Sequence, residues 1–186
     1  MKMIVATVLI IIGLTALSES ENFSEETEIL TEKSVNLTPI SVKWNAQQEY
    51  CLAQNIYFEA GNQSLDGMAA VADVTLNRVE NDSYPNDICS VVKEGLKHPD
   101  GAMKRHMCQF SWYCDGKSDN VPAPTTSQSW RQALSVSNAI LNNNKYRGIT
   151  EGSTHYHAVY VSPDWIYDRG MSRVTQIGSH IFYKFW

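Results

Sequence analysis

The sequence predicts an α+β fold, mainly helical with a small β element. Three observations predict it. Apolar residues recur at helical spacing in long stretches between Asn45 and Asn144. Turn signals such as "GNQS" and "NDSYPND" separate those stretches. Only short segments, mostly late in the chain, read as extended. A hydrophobic content of 43% in 186 residues suffices for one compact domain with a core.

The first helix is expected from about Asn45 to Ala60, with Asn45 as N-cap and Gly61 as the C′ residue. The second spans Leu65 to Val79, where Leu65, Met68, Ala69, Ala72, Leu76 and Val79 form an i, i+3, i+4, i+7 stripe. A short helix follows through "ICSVVKEGL". From Lys97 to Pro124 the chain turns polar and loop-like, with "CQFSWYC" as its one candidate strand. "SQSWRQALSVSNAILNNN" is a further helix, with Trp130, Leu134, Ser137 and Leu141 on one face. "STHYHAVYVSP" alternates enough for an extended segment, and "RVTQIGSHIFYKFW" reads as a loop plus a short strand.

Ahead of this body the chain changes character. "MKMIVATVLIIIGLTALSES" has a basic start at Lys2, an apolar run and small residues at its end, the pattern of a signal peptide over residues 1–20. A retained anchor is the alternative, although the run is short for a membrane span. Residues 21–44 are rich in Ser, Thr and Glu and read as a disordered tether. The folded part is 45–186. Six of the acids lie before Trp44 and the body is near neutral, so no basic stripe invites nucleic acid. A secreted or periplasmic monomer is expected, touching membrane only through an uncleaved signal segment. In an exported chain the four cysteines (Cys51, Cys89, Cys108, Cys114) favour two disulfides over metal ligation. Three connectivities are open, and a Cys108–Cys114 loop is preferred because it needs no assumption about distant elements.

Glu59 is the residue that points to chemistry. It sits in the last turn of the first helix, facing the negative end of the dipole, a cost of about 0.3–1 kcal/mol for its charge at exposed sites. Leu52, Ile56 and Phe58 nearby remove water from it. Both effects favour a carboxylic acid that keeps its proton, as a general acid must. The plain alternative is a surface Glu that happens to end a helix. An acid beside aromatic residues suits glycosidic bond cleavage, which usually needs a second carboxylate. Asp66, at the start of the second helix, and Asp73, paired with Arg78 or lining a cleft, are the candidates.

"CLAQNIYFEAGNQSLDGMAAVADVTLNRV", "YPNDICSVV", "CQFSWYCDGKSD", "THYHAVYVSPDW" and "IGSHIFYKFW" occur in an order that resembles the cell wall hydrolase family of the spore cortex-lytic enzymes. The resemblance covers nearly all of 50–186. It implies a lysozyme-like catalytic domain that cleaves peptidoglycan glycan strands between N-acetylmuramic acid and N-acetylglucosamine, as a lytic transglycosylase. It places the general acid/base on Glu59. Asn62 stands where many relatives read "E-A-R-G-E", so the local turn departs from theirs. A lytic transglycosylase needs no second carboxylate, because the sugar's own 6-hydroxyl attacks. Gln109 and Ser111, two apart on the candidate strand, would share a face. Both could orient substrate, as could Tyr156, while Trp165 could stack on a sugar.

Other classes fit less well. His155 and His157 are two apart on a candidate strand, with His180, His98 or His106 to complete a metal site. No H-E-x-x-H motif is present, and neither metal nor cofactor is expected. A non-catalytic wall-binding module would use the nine Tyr and five Trp as sugar platforms. A hydrolytic muramidase would need Asp66, Asp73 or a positioned water. Four N-x-S/T triplets, at Asn22, Asn36, Asn62 and Asn81, read as incidental.

Overall fold

The computed structural model describes residues 44–186. The expected signal peptide and all but the last residue of the tether lie outside the described residues.

Helix α1 runs Ala46–Ala60, with the Asn45 side chain accepting from the Gln48 N–H at 3.0 Å. Helix α2 runs Leu65–Val79 and is capped by Ser64. Helix α3 is only Ile88–Val92, capped by Asp87. It stops short of the predicted "KEGL", whose last two residues open strand β1, Gly95–Lys97. Strand β2, Met103–Cys108, pairs with it antiparallel. Helix α4 spans Gln128–Asn143, capped by Ser127 and ended by Asn144 at φ 53°. Strands β3 (His155–Ala158), β4 (Met171–Ile177) and β5 (His180–Phe185) make an antiparallel sheet in the order β3-β5-β4.

Helices α1, α2 and α4 pack against one another around one core. Leu52, Ile56 and Ala60 enter it from α1, Met68, Val71 and Ala72 from α2, and Trp130, Ala133, Val136 and Ile140 from α4. Every residue of α2 from Gly67 to Leu76 is buried, because the sheet covers the face the helices leave open. There Ala70 and Val74 meet Phe182 of β5. The disulfide Cys51–Cys89 ties α3 to α1.

Four expectations are corrected. "CQFSWYC" is not a strand: the β2 hairpin lies upstream, and Ser111–Cys114 curls into a 3₁₀ turn within a loop closed by Cys108–Cys114. Trp112 Nε1 donates to buried Asn55 Oδ1 of α1 at 2.9 Å, which holds the turn on the core. The β1–β2 hairpin itself is mostly solvent-facing, so it carries no apolar alternation to read. The chain end forms two strands joined at Gly178, φ 55°, rather than a loop and one strand. The α4 face is displaced, with Ala133, Val136 and Ile140 buried while Leu134 and Leu141 stay at its margin. Gly61 keeps a right-handed backbone, φ −61°, with its N–H on Tyr57 O. A Cβ there would collide with that same carbonyl, so close approach rather than a left-handed turn calls for glycine.

Candidate active site

Glu59 occupies the last turn of α1, which carries no basic residue. The apolar stripe of α1 turns inward, and the carboxyl emerges at its edge, only partly exposed. Two cavities meet there. One, of about 660 Å³, is lined among others by Tyr57, Asn62, Gln63, Ser129 and Ser179. The other, of about 520 Å³, is lined by Ser111, Trp112, Asp115, Lys117 and Tyr156 among others. Both share Phe58, Glu59, Ala158, Tyr160 and His180, so they are the two arms of one groove with the acid at their junction.

Tyr156 on β3 donates its hydroxyl to Glu59 Oε2 at 2.9 Å. Burial pushes the Glu59 carboxyl above the usual carboxylate range. The Tyr156 hydrogen bond and the charge of Arg78 pull the other way without reversing it. The Tyr156 phenol is itself pushed well up, by burial first and then by the Glu59 charge, so it remains a donor. Phe58 stacks on Trp112 with centroids 4.6 Å apart, forming an aromatic wall beside the acid.

His180 faces both arms and lies edge-on to Tyr156 at 5.1 Å. Burial, with a smaller push from His157, lowers its pKa and keeps the imidazole neutral. Its Nδ1 is buried without a hydrogen-bond partner.

The expected site residues separate. Ser111 and Tyr156 line the groove with Glu59. Gln109 and Trp165 line a different pocket, on the far side of Tyr156. The 3₁₀ turn beginning at Ser111 breaks the alternation that was to put Gln109 and Ser111 on one face. Asp66 is exposed in the first turn of α2 and lines neither arm. Asp73 is wholly buried and pairs with Arg147, not Arg78. It also accepts from Gly148 N, Thr150 N and Thr150 Oγ1 at 3.0, 3.0 and 2.6 Å, so no acceptor capacity is left for a substrate. His157 bonds Tyr183 Oη at 3.1 Å, and both His155 and His157 pack on Trp165.

Three groove residues were missed. Asp115 is the second carboxylate of the groove, with Oδ1 accepting from Lys117 N at 2.8 Å. That bond and the Lys117 charge hold it below the usual range, so it gives up its proton more readily than Glu59 does. The "CDGK" turn was its only sequence signal. Tyr160, 85% exposed, stands beside both arms, and His180 had been weighed only as a metal ligand.

Fold and groove together define a lysozyme-like α+β domain with a carboxyl of raised pKa at the junction of a two-armed cleft. The chain belongs to the Cell Wall Hydrolase family, whose model matches residues 62–183. Glu59 lies just ahead of that stretch, so its role is argued from the geometry. The spore cortex-lytic enzyme of Bacillus subtilis (strain 168) is 26% identical over 131 residues, covering 70% of this chain and 35% of the relative. That of Halalkalibacterium halodurans is 28% identical over 164 residues, covering 86% and 40%. This chain therefore spans well under half the length of either curated relative. Among solved structures, the catalytic domain of the Bacillus cereus SleB protein superposes with a TM-score of 0.51 at 26% identity, covering 76% of this chain and 94% of that one. The catalytic domain of the germination-specific lytic transglycosylase SleB from Bacillus anthracis gives 0.53 at 24%, covering 76% and 98%, a likeness of fold.

Proposed function

We propose that this protein is exported and cleaves the glycan strand of peptidoglycan between N-acetylmuramic acid and N-acetylglucosamine, as a lytic transglycosylase with Glu59 as general acid/base. One observation carries the reading: a carboxyl whose pKa is raised by burial stands where two arms of a groove meet. A polymer that continues on both sides of the scissile bond needs both arms. The Bacillus anthracis neighbour, itself named a lytic transglycosylase, agrees with the reaction type.

In the first half of the reaction Glu59 gives its proton to the bridging oxygen, and the bond from that oxygen to the anomeric carbon breaks. The resulting carboxylate then takes the proton of the 6-hydroxyl on the same sugar. That oxygen closes on the anomeric carbon as a 1,6-anhydro ring, and Glu59 is protonated again. Tyr156 holds the carboxyl in place through both halves and stabilises its charged form in between. His180 and Ser111 offer hydrogen bonds to the sugar ring or its N-acetyl group, and Tyr160 offers a stacking face.

Asp115 favours a second reading, a hydrolytic muramidase. Two carboxylates in one groove with pKa values pushed apart are the usual acid and base pair. Digesting purified peptidoglycan and weighing the products separates the readings. Anhydromuramyl ends from both wild type and Asp115→Asn support the lyase. Products heavier by one water, lost in Asp115→Asn, support the hydrolase. Glycan binding with no soluble product from wild type would leave a wall-binding module. Residues 1–20 are assigned as the export signal and 21–44 as the tether, and the domain is taken to work as a monomer.

A further inference from the structure

Behind Tyr156 lies a second pocket, of about 480 Å³, lined by Arg78, Gln109, His155, Tyr156, Trp165, Asp168, Met171 and Phe185. Glu59 is not among its lining residues, and the proposed reaction makes no use of it.

Arg78 is the unusual member. The residue is only 4% exposed. Its Nε donates to Thr154 O at 2.8 Å, and its guanidinium lies over the rings of Tyr84 and Phe110 at 5.3 and 4.9 Å. Nη1 is buried with no hydrogen-bond partner. No carboxylate among the described residues forms an ion pair with Arg78, although its charge is felt by Glu94 and Glu59. Glu94 Oε2 is buried and without a partner as well, yet Glu94 does not line this pocket. A guanidinium presents five N–H donors in a planar fork, and most of this one's donors are unused. Nε is engaged and Nη1 is shut off from solvent, so Nη2 is the donor a ligand can reach, and a charged acceptor such as a carboxylate takes a hydrogen bond from a cation most strongly.

The rest of the lining limits what carries that carboxylate. Trp165, Met171 and Phe185 give an apolar wall, and Gln109 adds an exposed amide. The His155 imidazole is kept neutral by burial and by Arg78, so it adds no second cation. Asp168 is exposed in the lining and opposes any anion, so a carboxylate is held only on the Arg78 side and a ligand of higher negative charge is disfavoured further. Those features describe a ligand with one carboxylate, a small apolar side chain and a neutral amide.

We propose that this pocket binds the C-terminal carboxylate of a short peptide, with Arg78 on the carboxylate, Gln109 on the adjoining amide, and Trp165 and Met171 against the side chain. The source of such a peptide rests on the peptidoglycan reading above, since that polymer carries peptide stems alongside its glycan. The binding chemistry does not depend on that reading.

The probe is N-acetyl-D-alanyl-D-alanine, with its C-terminal amide as control, titrated into the full chain by calorimetry and by NMR of the Trp165 indole N–H. The acid is expected to bind and to move the Trp165 signal, while the amide binds at least about tenfold more weakly, the worth of a hydrogen bond to a charged group. Arg78→Gln is expected to erase that preference. Because Arg78 is buried, that variant can lose its fold; Gln109→Ala and Trp165→Ala, both near the surface, should then weaken acid binding on a folded protein. Glu59→Gln should bind the acid as wild type does, which separates this pocket from the groove. Equal binding of acid and amide, no binding, or shifts confined to the residues around Glu59 would overturn the proposal.

Discussion

Glu59 and Asp73 are both carboxylates drawn out of water, and they are treated in opposite ways. Asp73 is matched on every side, by the Arg147 guanidinium, two backbone N–H groups and the Thr150 hydroxyl. Glu59 is offered one phenol, and the nearest influential cation acts only at a distance. The first arrangement holds the loop after α4 onto α2. The second leaves a carboxyl whose proton is loosely decided and whose remaining lone pairs face a groove. Burial alone therefore does not mark a working acid. Incomplete compensation next to open space does.

The largest expected effect tests that contrast at Glu59. Glu59→Gln should lower release of soluble peptidoglycan fragments by ~10²–10⁴-fold, the range for loss of a general acid/base. Its thermal unfolding should be at least as high as wild type. Asp73→Asn should do the reverse in kind, costing about 1–3 kcal/mol of stability because an amide nitrogen would face buried donors that the carboxylate now satisfies, while Arg147 keeps Glu80 and Asn77. Urea unfolding measures it, and a variant as stable as wild type would show that Asp73 is no anchor.

Tyr156→Phe sharpens the comparison by removing Glu59's one direct partner. The hydrogen bond favours the ionised form, so without it the carboxyl should hold its proton to higher pH. The limb of kcat/KM that falls as Glu59 ionises should move upward, with turnover reduced roughly tenfold through lost positioning. A limb that stays in place would detach Tyr156 from the acid.

The smallest effect is on stability against pH. Glu59 has a folded pKa above its unfolded value, so the folded state binds its proton more tightly. Its contribution is most favourable below the unfolded value and is lost as pH rises through the folded one. Glu59→Gln should thus gain on wild type in urea midpoint as pH is raised from acid to neutral. An unchanged difference across that range would mean that Glu59 ionises normally in the folded protein.

Much of the helical frame was legible because it is local. Asn45, Ser64 and Ser127 cap α1, α2 and α4 through bonds made within three residues, and apolar spacing did the rest. Glu59 was legible for the same reason, since helix end and apolar flank are both sequence neighbours. The β2 strand and the Gln109–Ser111 relation were not. A solvent-facing hairpin leaves no periodic signal, and the 3₁₀ turn is held by Asn55, 57 residues away from Trp112. Asp66 and Asp73 were drawn into the second-carboxylate role by sequence nearness, whereas the groove brings in Asp115 from a turn beyond the second disulfide.

The sequence by itself determined three helices, the Asn45 cap, the position of one awkward glutamate and the order of blocks that marks the family. Those follow from interactions between residues a few positions apart, or from residue identity read in line. Tertiary structure alone decided which carboxylate is disfavoured as an ion, which side chains share the groove, and that Arg78 reaches a second pocket. Each of these depends on charges and cavities assembled from segments far apart in the chain, where desolvation and pairing are set by the three-dimensional neighbours and by nothing local.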